Sequence, residues 1–394
     1  MNAETYELAR LIDPVTKTEF LDAYWERKPL LVQRNQASYF SDLLTSTQID
    51  EVITTLHLSH PDIRVVNAAS PVPAAAYTYP SGLIDIARLY QQYEAGGSIV
   101  LSNLEGHLPD MANLCRALER EMSSRFQANI YFTPHNAQGL RSHYDNHDVF
   151  VMQLEGSKKW TLYDTPVELP FRGEEFHPET VGPPGEVTKE FVLNAGDLLY
   201  LPRGIMHDAS ATDVDSLHIT VGVIFTSWME LVLEAVAKVG LNDPRFRRTL
   251  PAGFALPGYD RTDARQVFTE MMETVLERAD FDGALDHFAE DLISTRHSLL
   301  HGQLFQIRRL NDLSLASAVG PRPNLLYNLR EDEEYIYVSC YGGTTRLPIF
   351  VKTPLLHALS EKQFFVQDLP GELDDEGKLV LVRQLIREGL LRQP

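Results

Sequence analysis

From about residue 128 to 225 the apolar residues recur at every second position, and nothing else in the chain restricts its fold as much. ANIYFTP, DVFVMQLEG, KKWTLYD, KEFVLNAGD, LLYLP and SLHITVGVIF follow one another closely, with Gly, Pro and Asn between them. A period of two marks strands whose alternate side chains face a core. Short strands in series with turn residues between them suggest an antiparallel sandwich or barrel of the jelly-roll type. Helical spacing flanks this block: 18–26, 45–56, 81–94 and 109–126 before it, and 228–239, 262–279 and 284–301 after it. The last ninety residues mix helical runs at 304–318, 355–360 and 375–391 with a hairpin, YIYVSCYGGTTRLPIF. The fold class expected is therefore α+β.

At 394 residues the chain is long enough for two or three domains. MNAETYELARLIDP has neither a basic nor an apolar leader region, so no signal peptide is expected, and no apolar run is long enough to span a membrane. Two cysteines, Cys115 and Cys340, fit a reducing, cytoplasmic setting better than a disulfide scaffold. A net charge of −20 argues against general nucleic-acid binding and permits a basic partner.

The chemistry concentrates in HYDNHDVFVMQLEGSKKW, residues 143–160, which reads as a strand, a turn at Glu155-Gly156-Ser157 and a returning strand. Two residues apart on a strand, His143 and Asp145 share a face. His207, in GDLLYLPRGIMH, is expected where another strand ends at a turn and offers a third ligand. Two His and a carboxylate with open positions form the triad of non-haem Fe(II) oxygenases. Thirteen His and 55 acidic residues make about two His-x-acid triplets expected by chance, and three occur. His60-Pro-Asp62 and His177-Pro-Glu179 carry a central Pro, which disfavours an interior strand. The bland alternative for His143 and Asp145 is a polar pair in a barrel mouth. Further along, Lys158, Trp160 and Leu162 share one strand face and Lys159 the other. An inward Lys158 needs an anion, which a dicarboxylate co-substrate would supply; the register that turns Lys159 inward is equally open on periodicity alone.

YWERKPLLV, NIYFTPHNAQGL, HYDNHDVFVMQLEGSKKWTLY and GDLLYLPRGIMHDA followed by LHITVGV together resemble the JmjC-type ribosomal oxygenases of the cupin-4 family, from about residue 20 to 228. The wording is closer to the histidyl than to the arginyl hydroxylases. The resemblance implies a double-stranded β-helix (jelly-roll, cupin) core, and Fe(II), 2-oxoglutarate and O2 as cofactor and co-substrates. It assigns the metal to His143, Asp145 and His207, and it turns Lys158 inward onto the far carboxylate of 2-oxoglutarate. Asn129, Tyr131 and Thr220 fall on family positions near the co-substrate or substrate; His218 is read as a wall residue. His147 departs from the family, which has an apolar or acidic residue there, and Asn146 replaces a second acid. His147 is read as a surplus ligand, a substrate contact or a rim residue.

On the same resemblance, 1–227 is a catalytic domain, 228–301 a helical dimerisation domain and 302–394 a winged-helix domain, in a homodimer. The function implied is hydroxylation of a histidine or arginine side chain in a basic ribosomal protein, with no direct DNA binding, since no Lys/Arg cluster marks the winged helix. Three rivals remain: an N-methyl demethylase, a tailoring oxygenase acting on a small peptide or natural product, and a non-catalytic binding module.

Overall fold

The computed structural model describes residues 7–394; the first six, part of the stretch read above as lacking a leader, lie outside the described residues. The chain divides into two compact units, the first ending at Ile224 and the second spanning Phe225–Pro394.

In the first unit, helices α1 (Leu8–Ile12), α2 (Lys17–Ala23), α3 (Ser46–Thr55), α4 (Ile86–Glu94) and α5 (Pro109–Met122) alternate with β1 (Leu30–Val32), β2 (Ile63–Val66) and β3 (Ser98–Leu101). Local chemistry sets their limits. Thr16 accepts a hydrogen bond from the Glu19 amide, Thr45 and Gln48 form a capping box, and Asp85 caps α4, so α2 and α3 begin one residue away from the sequence reading and α4 five residues later. Pro109 opens α5 and Ser123, in the left-handed region, closes it.

The strands then come in the order expected: β4 (Arg125–Thr133), β5 (Asp148–Glu155), β6 (Ser157–Tyr163), the short α6 (Pro178–Val181), β7 (Val187–Asn194), β8 (Leu198–Leu201), β9 (His207–Ala211) and β10 (Ser216–Ile224). They assemble as a seven-stranded sheet, β1-β8-β5-β10-β4-β3-β2, and a three-stranded sheet, β7-β6-β9, with antiparallel pairing throughout. β5 shows why both faces of the large sheet are covered. Phe150 and Met152 point into the core formed with the helices, a cluster that also holds Leu114, Leu118 and Ile49, while Val149 and Val151 join Trp160, Leu162 and Leu193 of the small sheet. The turn joining β5 to β6 depends on Gly156, at φ +64°, where a Cβ would come within 1.8 Å of the Asp215 carbonyl oxygen.

Three expectations need correction. The strand of the 143–160 hairpin starts at Asp148, so His143 and Asp145 lie in the extended segment before it. His207 does not end the GDLLYLP strand: a turn intervenes and His207 opens β9, because Pro202 and Gly204 break the ladder. The helix over 304–318 shrinks to Gln303–Arg308 and a 3-10 turn, and the rest supplies a strand from Ala318.

The second unit begins with α7 (Trp228–Asn242), α8 (Thr262–Arg278) and α9 (Phe281–Ser294), in which α7 contacts both α8 and α9. There follow α10 (Gln303–Arg308), β11 (Ala318–Pro321), β12 (Asn328–Glu331), β13 (Tyr335–Cys340), β14 (Gly343–Pro348), α11 (Lys352–Ser360), β15 (Phe364–Phe365), α12 (Asp375–Arg387) and β16 (Leu391–Arg392). β12-β13-β14 is the expected hairpin with one added strand, and β15-β11-β16 is a second small sheet. Leu355, Leu381, Val382, Leu385 and Ile386 share one core with both sheets.

Candidate metal centre and co-substrate cavity

The segment preceding β5 is tied to the start of β9 by a single antiparallel bridge between His143 and His207. Each residue's amide donates to the other's carbonyl, at 3.0 and 2.8 Å. The Gly204 amide donates to the Asp145 carbonyl at 2.9 Å, fixing the third residue from the same turn. Nε2 of His143 lies 3.8 Å from Asp145 Oδ1, and Nε2 of His207 lies 3.8 Å from Oδ2. One ligand atom from each of the three residues falls within 4.8 Å of the others.

The far side of each ring fixes its tautomer. Nδ1 of His143 donates to the Arg141 carbonyl at 2.8 Å, and Nδ1 of His207 to that of Ile205 at 2.9 Å. Both Nε2 atoms are thereby left as lone-pair donors facing Asp145. Burial, reinforced by His143, lowers the His207 pKa to about 4, so its ring stays neutral, as a metal ligand must. Burial pushes the Asp145 carboxyl up, but His143, His207 and His147 together outweigh it and hold it below the usual carboxylate range. Two imidazole Nε2 atoms and an ionised carboxylate on one side of an open space suit a divalent first-row metal.

Behind the triad a buried network anchors the ligand segment. Arg203, beside Gly204, donates to Asp148 Oδ2 at 2.7 Å and to Glu26. The Tyr200 hydroxyl donates to Asp148 Oδ1 at 2.9 Å and accepts from the Glu26 amide. Burial outweighs Arg203 at Asp148 and leaves its carboxyl above the ordinary range, which makes the pair essential to keeping that charge there.

A cavity of about 90 Å³ extends from the triad between the sheets, lined also by Lys158, Tyr131 and Thr220. Lys158 is 4 % exposed and burial lowers its pKa to about 7. No ion pair to it is formed among the described residues; the Tyr131 ring lies 5.9 Å from Nζ. Lys159, by contrast, is exposed and pairs with Glu190 at 2.8 Å. Three further wall atoms, Trp160 Nε1, His218 Nδ1 and Ser98 Oγ, are buried without a hydrogen-bond partner. A cation and several unsatisfied polar atoms in one closed space fit an anion with hydrogen-bonding capacity. His218 stacks on Tyr131, with centroids 4.8 Å apart and planes at 2°; burial and then Lys158 hold its pKa well below the ordinary value. Asn129 sits opposite Thr220 in the β4–β10 register, with its Oδ1 buried and unpartnered, but it does not line the cavity. Ser98 was not legible: it lies well before β4 in the sequence, in a strand whose pairing is tertiary. A wider cleft of about 910 Å³, lined by Arg141, Ser142, Asp208 and Phe176 among others, adjoins the ligand segment.

A JmjC domain profile matches residues 102–231, which hold the triad, Lys158 and all of β4–β10. A protein of Dictyostelium discoideum named bifunctional lysine-specific demethylase and histidyl-hydroxylase NO66 is 35 % identical over 98 % of this chain and 82 % of its own length. The chain belongs to the JmjC ribosomal-oxygenase family. The similarly named protein of Aedes aegypti is 32 % identical over 73 % of the chain, which spans only 47 % of that relative, about half its length. Ribosomal oxygenase 1 of Danio rerio is 28 % identical over 72 % of this chain and 55 % of its own. Among solved structures, E. coli YcfD superposes with a TM-score of 0.58 at 17 % identity, covering 96 % of this chain and 98 % of the other. That likeness gives the JmjC ribosomal oxygenases and this chain one fold; a further YcfD structure is described as a complex with cobalt and 2-oxoglutarate.

Proposed function

We propose that this protein is an Fe(II)- and 2-oxoglutarate-dependent oxygenase that hydroxylates one side chain, histidine or arginine, of a basic ribosomal protein. The observation that carries the reading is a His-Asp-His cluster opening onto a cavity whose buried lysine has no anion. His143, Asp145 and His207 would hold the metal, and Lys158 the far carboxylate of 2-oxoglutarate, with Tyr131 and Thr220 along its flank and Asn129 nearer the substrate. When bound, iron and 2-oxoglutarate supply the oxidising chemistry with O2, giving succinate and CO2 as the target carbon gains a hydroxyl. The chain's own part is orientation. The two Nδ1–carbonyl bonds fix the tautomer and aim both Nε2 atoms at the metal position, and Val149, Val151 and Trp160 form an apolar wall of the cavity.

Several features support the rest of the reading. Trp228, Leu233, Phe268 and Leu276 are exposed on α7 and α8, as a helical dimerisation domain over 228–301 requires. Residues 302–394 have the helix-and-hairpin content of a winged helix. Cys115 and Cys340 are both free, in keeping with the cytoplasm. The test is incubation with Fe(II), 2-oxoglutarate and a panel of ribosomal loop peptides. A one-oxygen gain on one residue, coupled to succinate, is expected; hydroxylation of a small non-ribosomal peptide alone would replace the substrate assignment. The relatives' names also include lysine demethylation, so formaldehyde release from a methyl-lysine peptide is measured beside it.

A further inference from the structure

The inner face of β10 carries, in order, His218, Thr220 and Gly222, and the first two line the cavity. Gly222 has ordinary extended backbone, so the absence of a side chain needs another cause. A glycine inside a strand marks a close approach by something else. Here that is the ring of His147: a Cβ on Gly222 would lie 2.6 Å from its Cδ2 and 2.7 Å from its Nε2. The imidazole thus rests directly on the β10 face, two residues past Thr220 and just beyond the residues that line the cavity.

Among the described residues no hydrogen bond to the ring accounts for that placement. Nδ1 of His147 is buried without a hydrogen-bond partner, and the ring is not a member of the metal cluster, which comprises His143, Asp145 and His207. It follows the ligand Asp145 by two residues all the same. The neighbouring floor is polar too: Gln127 pairs with Gly222 in the β4–β10 register and donates to Asn103, and Asn129 follows it with an unpartnered Oδ1. Unsatisfied polar atoms at the end of a floor whose far end suits a dicarboxylate point to a ligand that brings its own hydrogen bonds.

We propose that His147, seated on Gly222, is a specificity-determining residue that hydrogen-bonds a main-chain carbonyl of an extended peptide substrate as it crosses the cavity mouth. The proposal rests on the peptide-hydroxylase reading above. A neutral imidazole offers one donor and one acceptor, and a peptide group beside the target residue offers the complement. Gly222 is the second half of the device, since any side chain there turns the ring away.

The experiment uses the full chain and whichever peptide of the ribosomal panel the parent protein hydroxylates. His147→Ala is expected to raise the KM for that peptide about tenfold, as loss of one hydrogen bond does, and to lower kcat by much less. Gly222→Ala, with the ring displaced, should give the same change. In the His147→Ala background Gly222→Ala should add nothing, because the two act through one ring. A fluorescein-labelled copy of the peptide, followed by anisotropy on Mn(II)-loaded protein, should show the same tenfold loss of affinity without turnover. If the parent hydroxylates no peptide in the panel, the functional reading fails and takes this inference with it. If the parent is active and His147→Ala leaves KM and affinity unchanged, the inference alone is overturned. Additive effects of the two substitutions overturn it as well, and because His147→Ala removes a half-buried side chain, it remains informative should Gly222→Ala not fold.

Discussion

Lys158 allows the charge balance of the cavity to be tested in two opposite directions. Burial lowers its pKa from 10.5 to about 7. At about 1.4 kcal/mol per tenfold change in protonation, keeping the ammonium inside without an anion costs on the order of 5 kcal/mol. The unfolded chain holds this proton up to about pH 10.5 and the folded protein only to about 7. The penalty is therefore whole below pH 7, shrinks as pH rises from 7 to 10.5, and is absent above. Lys158→Met removes it, so the ligand-free variant should melt higher than the parent at pH 6, with the gain fading toward pH 10. With 2-oxoglutarate the sign reverses. Deleting one member of a buried charge pair costs roughly 3–5 kcal/mol, and the Kd for 2-oxoglutarate should rise at least tenfold. Because binding needs the ammonium, the parent's Kd should be flat below pH 7 and climb about tenfold per pH unit above it. Lys158→Arg, charged at every accessible pH, should abolish that climb if it binds at all. Calorimetric titration of Mn(II)-loaded protein measures all three. A Kd unchanged in Lys158→Met, or a parent Kd flat to pH 9, would refute the pairing.

Other consequences follow from the same geometry. Asp145→Ala should eliminate Fe(II) binding and turnover yet leave the melting temperature within a few degrees, because the segment is held by main-chain bonds of His143 and Asp145 that survive the change; calorimetry with added metal checks both halves. Arg203→Met strands Asp148 in the core and should destabilise the fold by roughly 3–5 kcal/mol in urea titration, whereas Lys159→Ala, on an exposed pair, should move stability by less than about 1 kcal/mol. Light scattering at micromolar concentration should give twice the chain mass of 44.6 kDa, and a monomer there would remove the dimer from the proposal.

Much of the architecture could be read without coordinates because it is written locally. Alternation located β4 to β8 and β10, and Glu155-Gly156-Ser157 marked a turn whose glycine has no substitute. The phase of Lys158 followed from Trp160 and Leu162, which lie on its face, once the family wording had chosen the register. What escaped depends on partners distant in sequence. IRVV at Ile63–Val66 is too short to announce itself and becomes a strand only by pairing with β3. His143 was placed on a strand because its neighbours alternate, yet its pairing is a single bridge to a residue 64 positions away. Arg203 and Asp148 carry no local signature at all; burial alone turns an ordinary charge pair into an anchor.

The reciprocal amide–carbonyl bonds between His143 and His207 have a further consequence. The two chain segments that meet at the metal are fastened by peptide groups, which need no ion to pair, so the pocket exists before anything fills it. Chelation should then yield a folded, silent protein that resumes work when iron returns, with no refolding delay. Under scarcity, a cell would keep its stock of this protein and lose only the loaded share, so that output tracks iron supply more closely than it tracks synthesis.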